Sequence, residues 1–251
     1  MEMFIIPLGT CNCPYETVAP GVNDGNIIKL PVPSYLIRLD DGKNMLIDTG
    51  MNRLHITDPR ATWRGTAIAD VLVPEMAPED NLALRLAELD ITPQDIHYVV
   101  NTHLHFDHAG NNDLFDRATF FVQREHYDFA TDNQMFPNQY WNLPKLEYEL
   151  LDGEMEIAPG VEVLLTPGHA PAHQSVMVRM QESGNMLVCG DAVYTQDNFD
   201  YDSWGGQAEP EAAAQSGAKL KRIAEEQDAL LLFGHDPAQA KQFHRSPQSY
   251  K

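Results

Sequence analysis

Three histidines and an aspartate fall within one short stretch, Asn101-Thr-His103-Leu-His105-Phe-Asp107-His108-Ala-Gly110. A lone histidine usually has a structural role. Four nitrogen and oxygen donors crowded behind an apolar run, Tyr98-Val99-Val100, have instead the make-up of a metal site. His103 and His105, two apart, can point the same way from an extended backbone. Asp107 and His108 follow the turn and should face a neighbouring point.

Three further donors stand where apolar strands end. His169 closes Thr166-Pro-Gly-His169, Asp191 closes Cys189-Gly-Asp191, and His235 closes Phe233-Gly-His235. Each follows a glycine that lets the backbone approach a site closely, and a strand end is a rigid support. The seven candidates are His103, His105, Asp107, His108, His169, Asp191 and His235. One catalytic zinc takes about three protein ligands and a water. Seven donors therefore suit two cations sharing a carboxylate. Imidazole with carboxylate ligation fits Zn, Fe, Co or Mn. His173 is expected to pack behind the ligands. His55, His97, His126 and His244 lack ligand-like neighbours. Asp48, which ends a hairpin, could orient a ligand imidazole through its free N–H. Asp236 is expected to be exposed.

These donors need strands to hold them. Short β-rich runs are predicted at Met3–Leu8, Tyr35–Leu39, Met45–Asp48, Ile96–Asn101, Ala118–Gln123, Glu162–Thr166, Ser175–Met180, Met186–Cys189 and Leu230–Phe233. A helix is predicted after Pro78, with Leu82, Leu86 and Leu89 on one face, and another over Glu209–Gln227. Strands and helices mixed along the whole length indicate one layered α/β domain spanning 1–251. The segment Ser34–Gly50 can be laid without gaps on Ser175–Asp191, with Ser, Arg, Asn, Met and Leu coinciding. Both copies read as strand, turn, strand. They are either two generic hairpins or the trace of a duplicated half, which would give two sheets packed face to face with helices outside. Segments 10–33, 51–77 and 131–147 show no period. Their Trp63, Met76, Phe136 and Trp141 could wall an apolar groove.

Composition narrows the partners. The 251 residues carry 17 Lys+Arg against 37 Asp+Glu, a net charge of −20 that repels phosphate backbones and anionic lipid. The expected partner is a small molecule rather than nucleic acid or membrane, with a homodimer compatible with the chain. No apolar run approaches the roughly 18–20 residues of a membrane span. The first residues have neither the basic nor the apolar region of a signal peptide. Three cysteines give no disulfide framework, so a cytoplasmic protein with reduced thiols is expected.

The pattern His103-x-His105-x-Asp107-His108, with His169, Asp191 and His235, resembles the metallo-β-lactamase superfamily. That resemblance implies a four-layer αβ/βα sandwich with a dinuclear site between the sheets. His103-Leu-His-Phe-Asp-His-Ala-Gly110, Thr166-Pro-Gly-His-Ala-Pro-Ala-His-Gln-Ser175, Gly190-Asp-Ala-Val-Tyr-Thr195 and Phe233-Gly-His-Asp236 are similar to segments of the N-acyl-homoserine lactonases, the quorum-quenching hydrolases. Ala170, Ala172 and Val193 depart from a well-known member of that family, where Ser, Gly and Ser stand. The likeness implies that His103, His105 and His169 hold one metal. It implies that Asp107, His108 and His235 hold the other, that Asp191 bridges them, and that Tyr194 lies beside the lactone oxygen.

The implied activity is opening of an N-acyl-homoserine lactone by a metal-bound hydroxide. Two divalent ions, zinc first, make water acidic enough for this. Tyr194 would donate to the developing oxyanion, and Asp107 would return the proton to the leaving oxygen. The rivals share the site. Glyoxalase-II-like thioesterases usually add a helical region after the last ligand, whereas 16 residues follow His235 here. β-Lactamases usually lack the bridging aspartate, and ribonuclease-Z-like activity conflicts with the net charge. A flavodiiron electron-transfer protein would need a flavin domain. A non-catalytic metal-binding protein is the alternative of another class.

Overall fold

The computed structural model describes residues 1–251. Its strands are β1 (Glu2–Pro14), β2 (Ile27–Arg38), β3 (Asn44–Ile47), β4 (Val73–Glu75), β5 (Ile96–Val100), β6 (Thr119–Gln123), β7 (Glu147–Leu151), β8 (Met155–Ala158), β9 (Val161–Leu165), β10 (Gln174–Val178), β11 (Asn185–Gly190) and β12 (Ala229–Phe233). The helices are α1 (Leu82–Ala87), α2 (Arg124–Thr131), α3 (Asn138–Trp141), α4 (Gln196–Asp200) and α5 (Pro210–Gln227). One sheet has the order β4-β1-β2-β3-β5-β6-β7, the other β12-β11-β10-β9-β8.

Alternation along the strands builds the layers. One face of the first sheet, with Met3, Ile5, Ile37, Met45 and Ile47, packs on Val163, Val176, Val178 and Val188 of the second. The opposite face of the first sheet, with Phe4, Ile6, Leu36 and Leu46, lies under Leu82 and Leu86 of α1. The opposite face of the second, with Leu164, Met177 and Leu187, lies under Ala213, Leu220 and Ile223 of α5. Those three positions repeat at helical spacing, and Pro210 opens the helix where its missing N–H costs nothing. The order helix, sheet, sheet, helix is the expected αβ/βα sandwich. No helix is long and apolar enough to cross a membrane.

The two similar segments are two hairpins in the same register. Tyr35 stands opposite Ile47 as Val176 stands opposite Val188. The Ser34 hydroxyl donates to the Asp48 carbonyl at 2.7 Å, and the Ser175 hydroxyl donates to the Cys189 carbonyl at the same distance. The inner strand of each hairpin then pairs in parallel with the next strand, β3 with β5 and β11 with β12. Shared register and shared serine contacts favour a duplicated half over coincidence.

Nine strands lie where they are predicted, but four expectations need correction. Segment 51–77 ends in the short strand β4, which pairs with β1. Segment 10–33 is not aperiodic throughout, because β1 continues to Pro14 and β2 begins at Ile27. Pro7 and Pro33 stand opposite each other, and a register shift follows before Thr10, with Gly9 at φ +89°. Proline and a bulge break the alternation on which pattern reading depends. Segment 131–147 contains α3 and runs into β7, an edge strand reading Glu-Tyr-Glu-Leu-Leu, too charged to announce itself. Asp236 is buried, not exposed. Its carboxylate accepts the N–H groups of Gln196, Ala238 and Gln239 at 2.7–2.9 Å, tying the turn after β12 to the start of α4.

Candidate metal centre

All seven donors leave strand ends or the turns just beyond them and converge between the sheets. His103, His105, His169 and Asp191 form one group, and Asp107, His108 and His235 another; within each, the facing atoms lie within 4.8 Å of one another. The 101–110 turn is folded back by Gly110, whose N–H donates to the Gly50 carbonyl at 2.9 Å. A Cβ on Gly110 would sit 2.4 Å from the Phe106 carbonyl and the Asn52 nitrogen, so only glycine closes this turn. Gly190, at φ +55°, sets Asp191 the same way, since a Cβ there would meet His173 Nε2 at 2.8 Å.

Inside the first group the imidazole nitrogens face each other. His103 Nε2 lies 2.9 Å from His105 Nδ1 and 3.1 Å from His169 Nε2, and His169 Nε2 lies 2.9 Å from His105 Nδ1. Burial, together with neighbouring imidazoles, pushes His103 and His105 well below the usual histidine range, so both rings are neutral with lone pairs to offer. Asp191 stands between the groups. Its Oδ1 is 3.2 Å from His108 Nε2 and 3.0 Å from His235 Nε2, and its Oδ2 is 3.5 Å from His169 Nε2. Burial alone would raise its pKa, but the facing imidazoles hold it well below the ordinary carboxylate range. His108 Nε2 and Asp191 Oδ1 are both buried without a hydrogen-bond partner. Lone pairs turned on one another and orphaned buried acceptors are costly unless a cation lies among them. The donor set fits two such ions.

The far nitrogens of the rings are held from behind, which fixes tautomer and orientation. His103 Nδ1 lies 3.1 Å from the Thr102 hydroxyl, which donates to Asp48 Oδ2 at 2.8 Å. His108 Nδ1 is 2.8 Å from the same Asp48 oxygen, and His235 Nδ1 is 2.8 Å from the Pro31 carbonyl. Asp48 therefore has the orienting place that its hairpin position suggests. His169 Nδ1 faces Gln207 Oε1 at 3.0 Å and the Tyr194 hydroxyl at 2.9 Å. His173 packs behind the donors as expected, accepting the Asp191 N–H at its Nε2. His126, pushed down to about 4 by burial, accepts the Leu104 N–H and so holds the backbone between His103 and His105. Gln207 and His126 escape sequence reading: neither has a ligand-like neighbour, and both act through long-range packing.

A cavity of about 380 Å³ opens above the cluster, with His105, Asp107, His169, Asp191, Tyr194 and His235 on its floor. Trp63, Leu72, Phe106, Phe129, Met135 and Phe136 form an apolar wall. The Phe136 ring stacks on His105 with centroids 4.4 Å apart. Two residues expected in this wall are elsewhere. Trp141 is fully buried, edge-on to Tyr127 in the core below. Met76 lines a separate cavity beside β1 and β4. Asp107 is the carboxylate of the cluster most open to the cavity, its side chain 13% exposed. Tyr194 is buried, and burial followed by the charges of Asp191 and Asp107 pushes its phenol well above 10, so it carries its proton.

Residues 27–235 match the metallo-beta-lactamase superfamily. The chain belongs to that superfamily. Among metallo-β-lactamase relatives, the N-acyl homoserine lactonase AiiA of Bacillus thuringiensis subsp. kurstaki is 33% identical over 247 residues, covering 98% of each chain. The N-acyl homoserine lactonase AttM of Rhizobium radiobacter is 32% identical, covering 100% of this chain and 98% of its own. A solved N-acyl homoserine lactone hydrolase with the product N-hexanoyl-L-homoserine bound at its catalytic metal centre superposes with a TM-score of 0.92. It is 32% identical, and 99% of this chain and 98% of that one are covered.

Proposed function

We propose that this metallo-β-lactamase-fold protein opens the ring of N-acyl homoserine lactones with water, and so acts as a quorum-quenching hydrolase. The reading rests on one observation above others: seven metal-type donors converge beneath an apolar-walled cavity, five of them on its floor, in a chain similar over nearly its full length to lactonases. His103, His105 and His169 would hold one divalent ion, Asp107, His108 and His235 a second, and Asp191 both, with zinc as the first choice. Such ions lower the pKa of water and polarise a carbonyl.

The protein's own groups supply the rest. The Tyr194 hydroxyl, protonated at pH 7, is a donor for an oxygen on which charge develops. The Asp107 carboxylate, 3.7 Å from His108 Nε2 and His235 Nε2 and partly open to the cavity, takes a proton from water and returns it to the ring oxygen that leaves. The aromatic wall excludes water and takes up an acyl chain. Three free thiols, all buried, accord with a reducing cytoplasm.

The test is mass spectrometry of an N-acyl homoserine lactone incubated with the purified protein, alongside a thioester and a β-lactam. Addition of one water to the lactone, reversed by acid, is the expected outcome. Release of a free fatty acid would mean amide cleavage and overturn the reading, and preference for the thioester would favour a glyoxalase-II-like enzyme.

A further inference from the structure

The two ring nitrogens of His169 have different surroundings. Nε2 lies among the donors of the first group, 3.1 Å from His103 Nε2 and 2.9 Å from His105 Nδ1. For Nε2 to present a lone pair to a cation, the single proton of the neutral ring must sit on Nδ1. Two oxygens compete for that nitrogen, Gln207 Oε1 at 3.0 Å and the Tyr194 hydroxyl at 2.9 Å.

The competitors are not equivalent. An amide oxygen only accepts, so it demands an N–H on Nδ1. A phenol also donates. If Tyr194 donated to Nδ1, the ring proton would sit on Nε2 and the lone pair facing the cluster would be lost. The phenol proton would also be turned away from the cavity. The orientation of the Gln207 amide is set from its other end, where Nε2 donates to the Asp191 carbonyl at 2.9 Å. A carbonyl has no proton to give, so the amide nitrogen must face Asp191 and the oxygen must face His169. The side chain has little room to turn: Gln207 is 5% exposed, and its backbone N–H is held by the Trp204 carbonyl at 3.0 Å.

We infer that Gln207 is a positioning residue that selects the Nδ1–H form of His169 and thereby keeps the Tyr194 hydroxyl proton for a ligand in the cavity. The first half concerns cation binding alone. The second half rests on the proposed lactone hydrolysis, in which Tyr194 donates to substrate.

The experiment titrates metal-free protein with Zn²⁺ against a chromophoric chelator. Gln207→Leu keeps the bulk and deletes the acceptor; its zinc affinity should fall about 10- to 100-fold, the usual cost of losing a group behind a ligand. Gln207→Glu keeps an oxygen toward His169 but gives up the donation to the Asp191 carbonyl, so its affinity should fall less than that of the leucine variant. Melting of the metal-free proteins checks folding. Should the leucine variant fold poorly, Gln207→Asn, whose amide is one methylene too short to reach, takes its place with the same expectation. Wild-type affinity in the leucine variant overturns the inference, as does an equal loss in the leucine and glutamate variants, which would mark mere packing.

At saturating zinc, kcat on a lactone should fall in Gln207→Leu, and adding Tyr194→Phe should lower it no further than Tyr194→Phe alone. Fully multiplicative losses overturn the second half. A wild-type protein that opens no lactone would sink the proposed function and leave the zinc titration intact.

Discussion

Asp48 Oδ2 lies 2.8 Å from His108 Nδ1, so a residue from the first hairpin holds a histidine sixty positions further along the chain. The same carboxylate accepts the Thr102 N–H and hydroxyl, both at 2.8 Å. It thereby ties the turn after β3 to the start of the histidine-rich segment. Its backbone sits at φ +58°, a conformation that aspartate tolerates better than most residues.

Replacing Asp48 should weaken the metal centre without emptying the cavity. Asp48→Asn keeps the shape and removes the charge that orients His108. Metal affinity is expected to drop about 10- to 100-fold. Metal content after dialysis against graded chelator measures it. An unaltered affinity would reduce Asp48 to a turn-former.

Metal removal should abolish hydrolysis and metal return should restore it. Elemental analysis is expected to give about two ions per chain, matching the seven converging donors. His103→Ala and Asp191→Ala should lose metal and activity together. A stoichiometry near zero in active protein would falsify the dinuclear reading.

Tyr194→Phe keeps the ring and deletes one donor. A lost donor of this kind costs about 10²–10³ in kcat, reduced to roughly 10-fold where cations already carry most of the charge. Metal content and melting temperature should be unchanged. A fall in kcat matched by metal loss would make Tyr194 a support for His169, whose Nδ1 its hydroxyl faces.

Substitutions in the aromatic segments should separate wall from core. Trp63→Ala and Phe136→Ala line the cavity and should change KM across acyl-chain lengths. Trp141→Ala empties a fully buried site and should cost about 3–5 kcal/mol of stability. Met76→Ala, beside a different cavity, should leave KM unchanged. Parallel losses of melting temperature in Trp63→Ala and Phe136→Ala, with KM constant, would make all four packing residues.

Much of the site is local and therefore legible in sequence. His103-x-His105-x-Asp107-His108 needs only one turn to gather four donors, and a Gly before each of His235 and Asp191 marks a strand end that admits close backbone approach. The layers were readable for the same reason, since a strand's alternation and the spacing of Ala213, Leu220 and Ile223 are short-range properties. Where proline or charge interrupts the period, as at Pro7, Pro33 and β7, the pattern fails although the strand forms. There the pairing partner, not the local run, decides.

The sequence by itself determined which residue types could bind cations, that they stand at strand ends, and that two similar hairpins end in Asp48 and Asp191. Only the tertiary structure decided which groups stand behind them. Gln207 reaches His169 because the loop before α5 crosses the cluster, and Asp48 reaches His108 because β3 and β5 are neighbours. Trp141 and Phe136 lie five positions apart with similar side chains, yet one is core and the other faces the cavity. Asp236 is buried because three backbone N–H groups from the β12 turn and α4 converge on it. Burial and hydrogen-bond partnership are properties of what packs against a residue. They arise from contacts far apart in the chain, and no window of sequence contains them.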